Sequence, residues 1–193
     1  DYNGVILWSM FSEPTLHKDV LELAQITKRL LPDVHLHSTS NGDSFRRRPD
    51  KLVALLESGV DRVNLSLYDG PDQLLEFQEL VEQLHLPNDK VRLRRRYEEG
   101  GNYGITISNR AGAIDSNLYR DKSEASIQIL PLKKSCYYPF YQISIDYNGD
   151  VLLCPHDWAK EYIAGNVIKE HIWKIWTGKK FEFARRKLKD SNR

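Results

Sequence analysis

Cysteine, methionine and net charge are scarce in this 193-residue chain: two Cys, one Met and a formal charge of +1 from 28 basic and 27 acidic side chains. Two cysteines in so long a chain exclude the dense disulfide framework of small secreted domains, although a single bridge fits the count. The near-balance of charge removes any overall field that would draw the protein to nucleic acid or to an anionic membrane. No apolar run approaches the ~20 residues that a membrane-spanning helix requires. The opening DYNGVILWSM carries neither the basic start nor the small-residue cleavage pattern of a secretory signal. A cytoplasmic protein without membrane attachment is the expectation. The hydrophobic share, 40%, is enough to bury a core in one domain, or in one domain with a small appendage.

The first hundred residues alternate between two periodicities. "GVILWSM" (4–10) reads as a buried strand and ends at Phe11-Ser12-Glu13-Pro14. Pro14 biases Glu13 away from helical geometry, which puts its carboxylate in a loop at the carboxyl end of that strand. Residues 19–31 repeat apolar groups at helical spacing and are closed by Pro32. "VHLHSTS" then gives a strand that ends in Asn41-Gly42, "DKLVALLES" a short helix, and "VDRVNLSLYDG" a third strand. Residues 71–85 form a helix with proline in its first turn, and "KVRLRRRYEE" a fourth strand. Strands separated by helices at these spacings predict βαβ crossovers and a parallel sheet. One side of the sheet is polar, which a sheet covered on both faces would not need. A barrel or half-barrel is therefore expected, with ligand contacts at the carboxyl ends of its strands: Glu13, Ser40, Asn41, Ser66, Tyr68 and Asp69. Asn41-Gly42 and Asp69-Gly70 are equally common as plain turn pairs.

Beyond residue 100 the helical periodicity stops in a stretch rich in glycine and small polar residues. "CYYPFYQISIDYNGDVLLC" follows, two short strands around a turn at Asn148-Gly149, and then a helical tail over 169–189. Trp158, Trp173 and Trp176 are available to fill the core of this appendage. Cys136 and Cys154 bracket the hairpin, with twelve residues between Cys136 and Gly149 and four between Gly149 and Cys154. A hairpin brings residues at its open end together, so two thiolates there could share a metal or an iron–sulfur cluster. His156 and Asp157 also leave a zinc ion open. From spacing alone a disulfide or two buried thiols serve equally well. Of the arginines, Arg46, Arg47 and Arg48 follow the Asn-Gly turn, and Arg92, Arg94 and Arg96 share one face of the fourth strand. Strand arginines entering a barrel would grip a small anion or pair with acids.

These stretches resemble a known family. "ILWSMFSEPTLHKDVLELAQITKRL", "HLHSTSNG" and "VNLSLYDG" are similar to the partial (β/α)6 barrel of radical S-adenosylmethionine enzymes. "CYYPFYQISIDYNGDVLLC" and "IAGNVIKEHIWKIWTGKKF" resemble their SPASM or shorter twitch appendage. The resemblance implies an α/β fold: a partial (β/α)6 TIM-like barrel over 1–125, and a small α+β C-terminal domain with a β-hairpin over 126–193. It implies that Ser12, Glu13 and Pro14 occupy the family's Gly-Glu-Pro position, where the glutamate meets the amino group of S-adenosylmethionine. Ser40, Asn41 and Ser66 would face the same cofactor's carboxylate or ribose. Cys136 and Cys154 become ligands of an auxiliary [4Fe-4S] cluster. A small-molecule or peptide substrate and an external electron donor complete the implied set.

One family feature is absent. The three-cysteine loop, Cys-x3-Cys-x2-Cys, holds the cluster at which the family cleaves S-adenosylmethionine to a radical, and it should precede the strand at 4–10. The chain is expected to be a fragment of a radical enzyme, inactive by itself. The alternative is a degenerate, non-catalytic relative that binds an anionic ligand or a protein partner.

Overall fold

The computed structural model describes residues 2–97, 111–112 and 132–190. The chain divides into two compact units, Asp1–Thr106 and Ile107–Arg193, while the boundary expected at 125/126 lies outside the described residues.

In the first unit β1 (Val5–Trp8), β2 (His35–Ser40), β3 (Arg62–Leu67) and β4 (Val91–Arg95) form a parallel sheet in sequence order. The intervening helices are α1 (Val20–Leu30), α2 (Asp43–Arg47), α3 (Asp50–Glu57) and α4 (Pro71–Gln83). The alternation expected from sequence is present. Two short elements were not foreseen: α2 and a 3-10 turn at Pro14–Leu16.

Register assigns the two faces of this sheet. Ile6, Leu36, Val63, Leu65, Leu67 and Leu93 lie toward the helices, packed with Ala24, Phe45, Leu52, Leu55 and Phe77 in one apolar core. The other face carries Val5 and Leu7 of β1, both about half exposed, then His35, His37 and Thr39 of β2 and Asn64 and Ser66 of β3. Arg92 pairs in register with Asn64, and Arg94 with Ser66, so the β4 arginines belong to this face as well. One apolar and one polar face follow from the period-2 alternation of each strand.

The amino end of the sheet is tied by a charge network. Asp61 Oδ2 accepts the Leu36 N–H at 2.8 Å and a hydrogen bond from Lys28 Nζ at 3.1 Å, while the same Nζ donates to the Val34 carbonyl at 2.7 Å. Burial pushes the Asp61 carboxyl up, but the Leu36 amide and Lys28 pull harder and hold it below its ordinary value of 3.8. A depressed folded-state pKa gives stabilisation that is present above the unfolded value and is lost as pH falls through the folded one. Asp61→Ala is therefore expected to cost about 1–2 kcal/mol at neutral pH, discounted for partial exposure. Urea midpoints should show the difference from wild type shrinking below pH 4; a difference constant with pH would assign the loss to packing.

The second unit contains an antiparallel sheet of β5 (Ser144–Ile145), β6 (Asp150–Leu152) and β7 (Ile163–Asn166), with α5 (Tyr138–Tyr141), α6 (Ile172–Trp176) and α7 (Lys179–Lys189). The expected hairpin is β5–β6, and β7 adds a third strand. At the turn Gly149 has φ +82°, and a Cβ there would lie 2.8 Å from Ile168. Asn166 Nδ2 donates to the Asn148 carbonyl at 3.0 Å and to Asp150 Oδ1 at 2.9 Å, fastening β7 to the turn. The helical tail is two helices interrupted at Thr177-Gly178, where a Cβ on Gly178 would meet the Lys174 carbonyl at 2.9 Å.

The core of this unit is Val151, Ile175 and Phe181, with Trp176 packed against it. Trp158 and Trp173 do not fill it, being 44% and 65% exposed. Helix α6 buries Ile175, and Trp173, two positions earlier, falls on a different side of the helix. Arg185 clamps α5 to the later helices: its guanidinium lies 4.1 Å from the Trp176 ring centroid, while Nε donates to the Pro139 carbonyl and Nη1 to that of Trp176.

Candidate ligand site at the carboxyl ends of the strands

The loop after β1 turns through Met10, whose φ is +75°, and delivers Glu13 as the cap of the 3-10 turn. Pro14 supplies the fixed φ of the first position and is buried. Glu13 Oε1 accepts the Thr15 N–H at 3.2 Å and the Thr15 hydroxyl at 2.7 Å. Its other oxygen, Oε2, accepts the Asn41 N–H at 2.9 Å. One carboxylate thus staples the loop after β1 to the loop after β2. A carboxylate offers about four acceptor positions, so these three bonds leave one, on Oε2. Ser44 Oγ donates to Thr15 Oγ1 at 2.8 Å, which tethers the first turn of α2 to the same cluster.

Around the next loop Asn41 Nδ2 donates to Asp43 Oδ2 at 2.8 Å, and Asn41 Oδ1 accepts the Asp43 N–H at 3.1 Å. Gly42 has φ +88°, and a Cβ on it would come within 2.3 Å of the Phe77 ring. Arg46 contacts Glu76 at 2.8 Å and Asp43 and Asp69 at 3.8 Å each. Arg48 forms a fork on Asp50, with hydrogen bonds of 3.0 and 2.7 Å. Arg46 and Arg48 are thus engaged with local acids.

The structure brings Glu13 and Asn41 into direct contact and sets Ser66 on the open face. Ser12 is exposed, its hydroxyl 3.5 Å from the Ser9 carbonyl. Ser40 is placed differently: it pairs in register with Leu65 on the helix-covered side, and its buried Oγ accepts the Gly42 N–H at 3.0 Å. Its role there is to hold the turn. Sequence reading missed Thr15 and Ser44, the hydroxyls that orient Glu13, and the available signal was a Thr directly after Glu-Pro. It also missed Thr39, whose buried Oγ1 has no hydrogen-bond partner among the described residues.

The open face is electropositive toward β4. Burial, then neighbouring Arg96 and Arg92, hold the Arg94 guanidinium below its usual value, with Tyr68 opposing. His37 is likewise held below 6.5 by burial and by Arg62, Asp61 opposing.

In the second unit neither Cys136 nor Cys154 forms a disulfide, and both are half-buried. The Cys136 N–H donates to the Leu188 carbonyl at 2.9 Å, and Cys154 Sγ accepts the His156 N–H at 3.4 Å. Asp157 accepts the N–H groups of Glu161 and Tyr162 at 3.0 and 2.9 Å, so its carboxylate closes the loop that leads to β7. Among the described residues no group of three or more His, Cys, Asp or Glu could hold a metal ion. A [4Fe–4S] cluster takes four thiolates and the chain has two cysteines, so these residues do not by themselves fit that group.

A four-stranded parallel half-barrel with one open polar face, followed by a small hairpin domain, defines the class. Residues 136–193 match the SPASM family, an iron–sulfur cluster-binding domain, and the chain as a whole shares its fold with BtrN. The S-adenosyl-L-methionine-dependent 2-deoxy-scyllo-inosamine dehydrogenase of Niallia circulans is 24% identical over all 193 residues, which correspond to 70% of that protein. Among solved structures, BtrN in complex with AdoMet and 2-DOIA superposes with a TM-score of 0.74 at 24% identity, covering 98% of this chain and 68% of that one. Selenomethionine BtrN in an open conformation gives 0.67 at 21%, covering 99% and 67%. Among the described residues no helix is long and apolar enough to cross a membrane.

Proposed function

We propose that the carboxyl-end mouth of the first unit binds S-adenosylmethionine, as part of a radical enzyme that removes hydrogen from a small substrate. The observation that carries this reading is the Glu13 carboxylate, fixed by Thr15 and Asn41 with one acceptor position left on Oε2. An ammonium group is the natural donor to that position, because a charge-assisted bond is about twice as strong as a neutral one. The residues present thus fit the amino end of the cofactor.

Asn41 stands beside Glu13 and Ser66 lies on the open face, so both are assigned to the cofactor's polar groups. Ser12 and Pro14 shape the loop that presents Glu13. Ser40 acts through the turn it holds. When bound at a reduced iron–sulfur cluster, S-adenosylmethionine supplies hydrogen-atom abstraction. This chain's residues bind and orient, and the thiolates needed beyond Cys136 and Cys154 come from elsewhere in the reading as an enzyme. The relative that dehydrogenates 2-deoxy-scyllo-inosamine makes a sugar-derived substrate the leading class, ahead of a peptide. A second reading, a non-catalytic binding scaffold, is favoured by the shortage of thiolates and keeps the same cofactor cleft.

Equilibrium dialysis of the chain against S-adenosylmethionine and 5'-methylthioadenosine tests the proposal. The second compound keeps the adenosine and sulfur but lacks the amine and carboxylate. Retention of S-adenosylmethionine should be at least tenfold tighter; equal retention of both would remove Glu13 from the site.

A further inference from the structure

Two sets of arginines in the first unit have different surroundings. Arg46 and Arg48 are held by acids. Arg92 and Arg94 have no acidic partner among the described residues, although they lie on the face that the proposed cofactor mouth opens onto. Alternate residues of a strand are about 6.6 Å apart along its axis, so these guanidiniums form a row beside Asn64 and Ser66, their register partners on β3. Both β3 residues are buried, at 7% and 3% exposure. Arg96 continues the row closely enough to repel Arg94, and Tyr68 lies near its end.

Arg92 is exposed and Arg94 half-buried, and holding like charges beside a partly desolvated guanidinium such as Arg94 costs free energy unless something neutralises them. Among the described residues acids stand beside Arg46 and Arg48, and none beside Arg92 or Arg94. We propose that the Arg92–Arg94 row, with Asn64, binds an oxyanion carried by the substrate, a phosphate or carboxylate. Arginine suits this because its planar fork meets such oxygens in pairs, and Asn64 adds a neutral donor in register with Arg92. The substrate class changes accordingly. An amine-bearing cyclitol of the kind handled by the Niallia circulans relative would be repelled along this row, whereas a phosphorylated or carboxylated sugar derivative would be drawn in. This inference rests on the reading of the open face as the ligand side, and the S-adenosylmethionine carboxylate is the rival source of the anion.

The test is a titration of the full chain with inorganic phosphate at constant ionic strength, following the arginine Nε–H signals by NMR. Saturable shifts of Arg92 and Arg94 are expected, with at least tenfold weaker binding in Arg94→Gln and an intermediate loss in Arg94→Lys, which keeps the charge without the fork. Arg48→Gln serves as the control and should bind phosphate as wild type does. Non-saturating shifts, or an equal loss in Arg48→Gln, would overturn the proposal. Repeating the titration with S-adenosylmethionine present separates the two sources: phosphate binding should persist, and its abolition would assign the row to the cofactor's own carboxylate. Glu13→Gln should leave phosphate binding unchanged, so failure of the Glu13 site and failure of the arginine row are read independently.

Discussion

Gly42→Ala is expected to destabilise the first unit by about 3 kcal/mol, combining ~1–2 for a left-handed residue that carries a Cβ with ~1–3 for overpacking. The two costs arise at one atom. Gly42 has φ +88°, and the added carbon would sit 2.3 Å from the ring of Phe77, which is fully buried in the core and has nowhere to retreat. The neighbours of Gly42 carry the damage to the mouth. Its N–H is bonded to Ser40, its carbonyl accepts from Phe45 and Arg46, and the adjoining Asn41 N–H is the donor to Glu13. Hydrogen exchange of the β2 and β3 amides checks this within the unit concerned. Protection should fall by roughly 100-fold, since each 1.4 kcal/mol is a factor of ten; a change below threefold would mean that the turn relaxes around the methyl group.

Glu13→Gln is expected to weaken S-adenosylmethionine binding by about 10- to 100-fold, the range of a hydrogen bond to a charged group at ~1.5–3 kcal/mol. The substitution keeps the shape of the side chain and removes its charge. It also turns one acceptor edge into a donor edge, which must then face either Thr15 or the Asn41 N–H. Some stability is lost with that bond, so binding and folding have to be measured together. Dialysis should show the affinity falling further, in free energy, than the urea midpoint accounts for. Matched losses would make Glu13 a staple between two loops and nothing more.

Much of the sheet was legible because its signals are local and repeated. The alternation in "VNLSLYDG" gave β3 and both of its faces, and Pro71 marked the start of α4. The polar open face followed from the same alternation. Helix α2 was not legible, since Asp43–Arg47 is too short to show a helical stripe and is held by Gly42 and Phe77, which a linear reading cannot connect. Ser40 shows the limit at the site itself. Its type and position at a strand end match a ligand contact, but register alone decides which face it takes, and that depends on pairing with Leu65. The same holds for Trp173, whose exposure is set by which side of α6 carries Ile175 into the core. Glu13 was legible as a mouth residue, whereas its three internal bonds depend on a loop 28 residues away.

The most direct measurement of the central claim is a backbone amide NMR titration of the chain with S-adenosylmethionine, which registers weak binding as readily as tight. The amides of Thr15 and Asn41 both donate to the Glu13 carboxylate, so an ammonium group on Oε2 must polarise the acceptor they share. Saturable shifts centred on Thr15, Asn41 and Ser66, with a midpoint about 10- to 100-fold weaker in Glu13→Gln, are the predicted result. Saturable shifts that leave Thr15 and Asn41 unmoved, or a midpoint unchanged in Glu13→Gln, would contradict it.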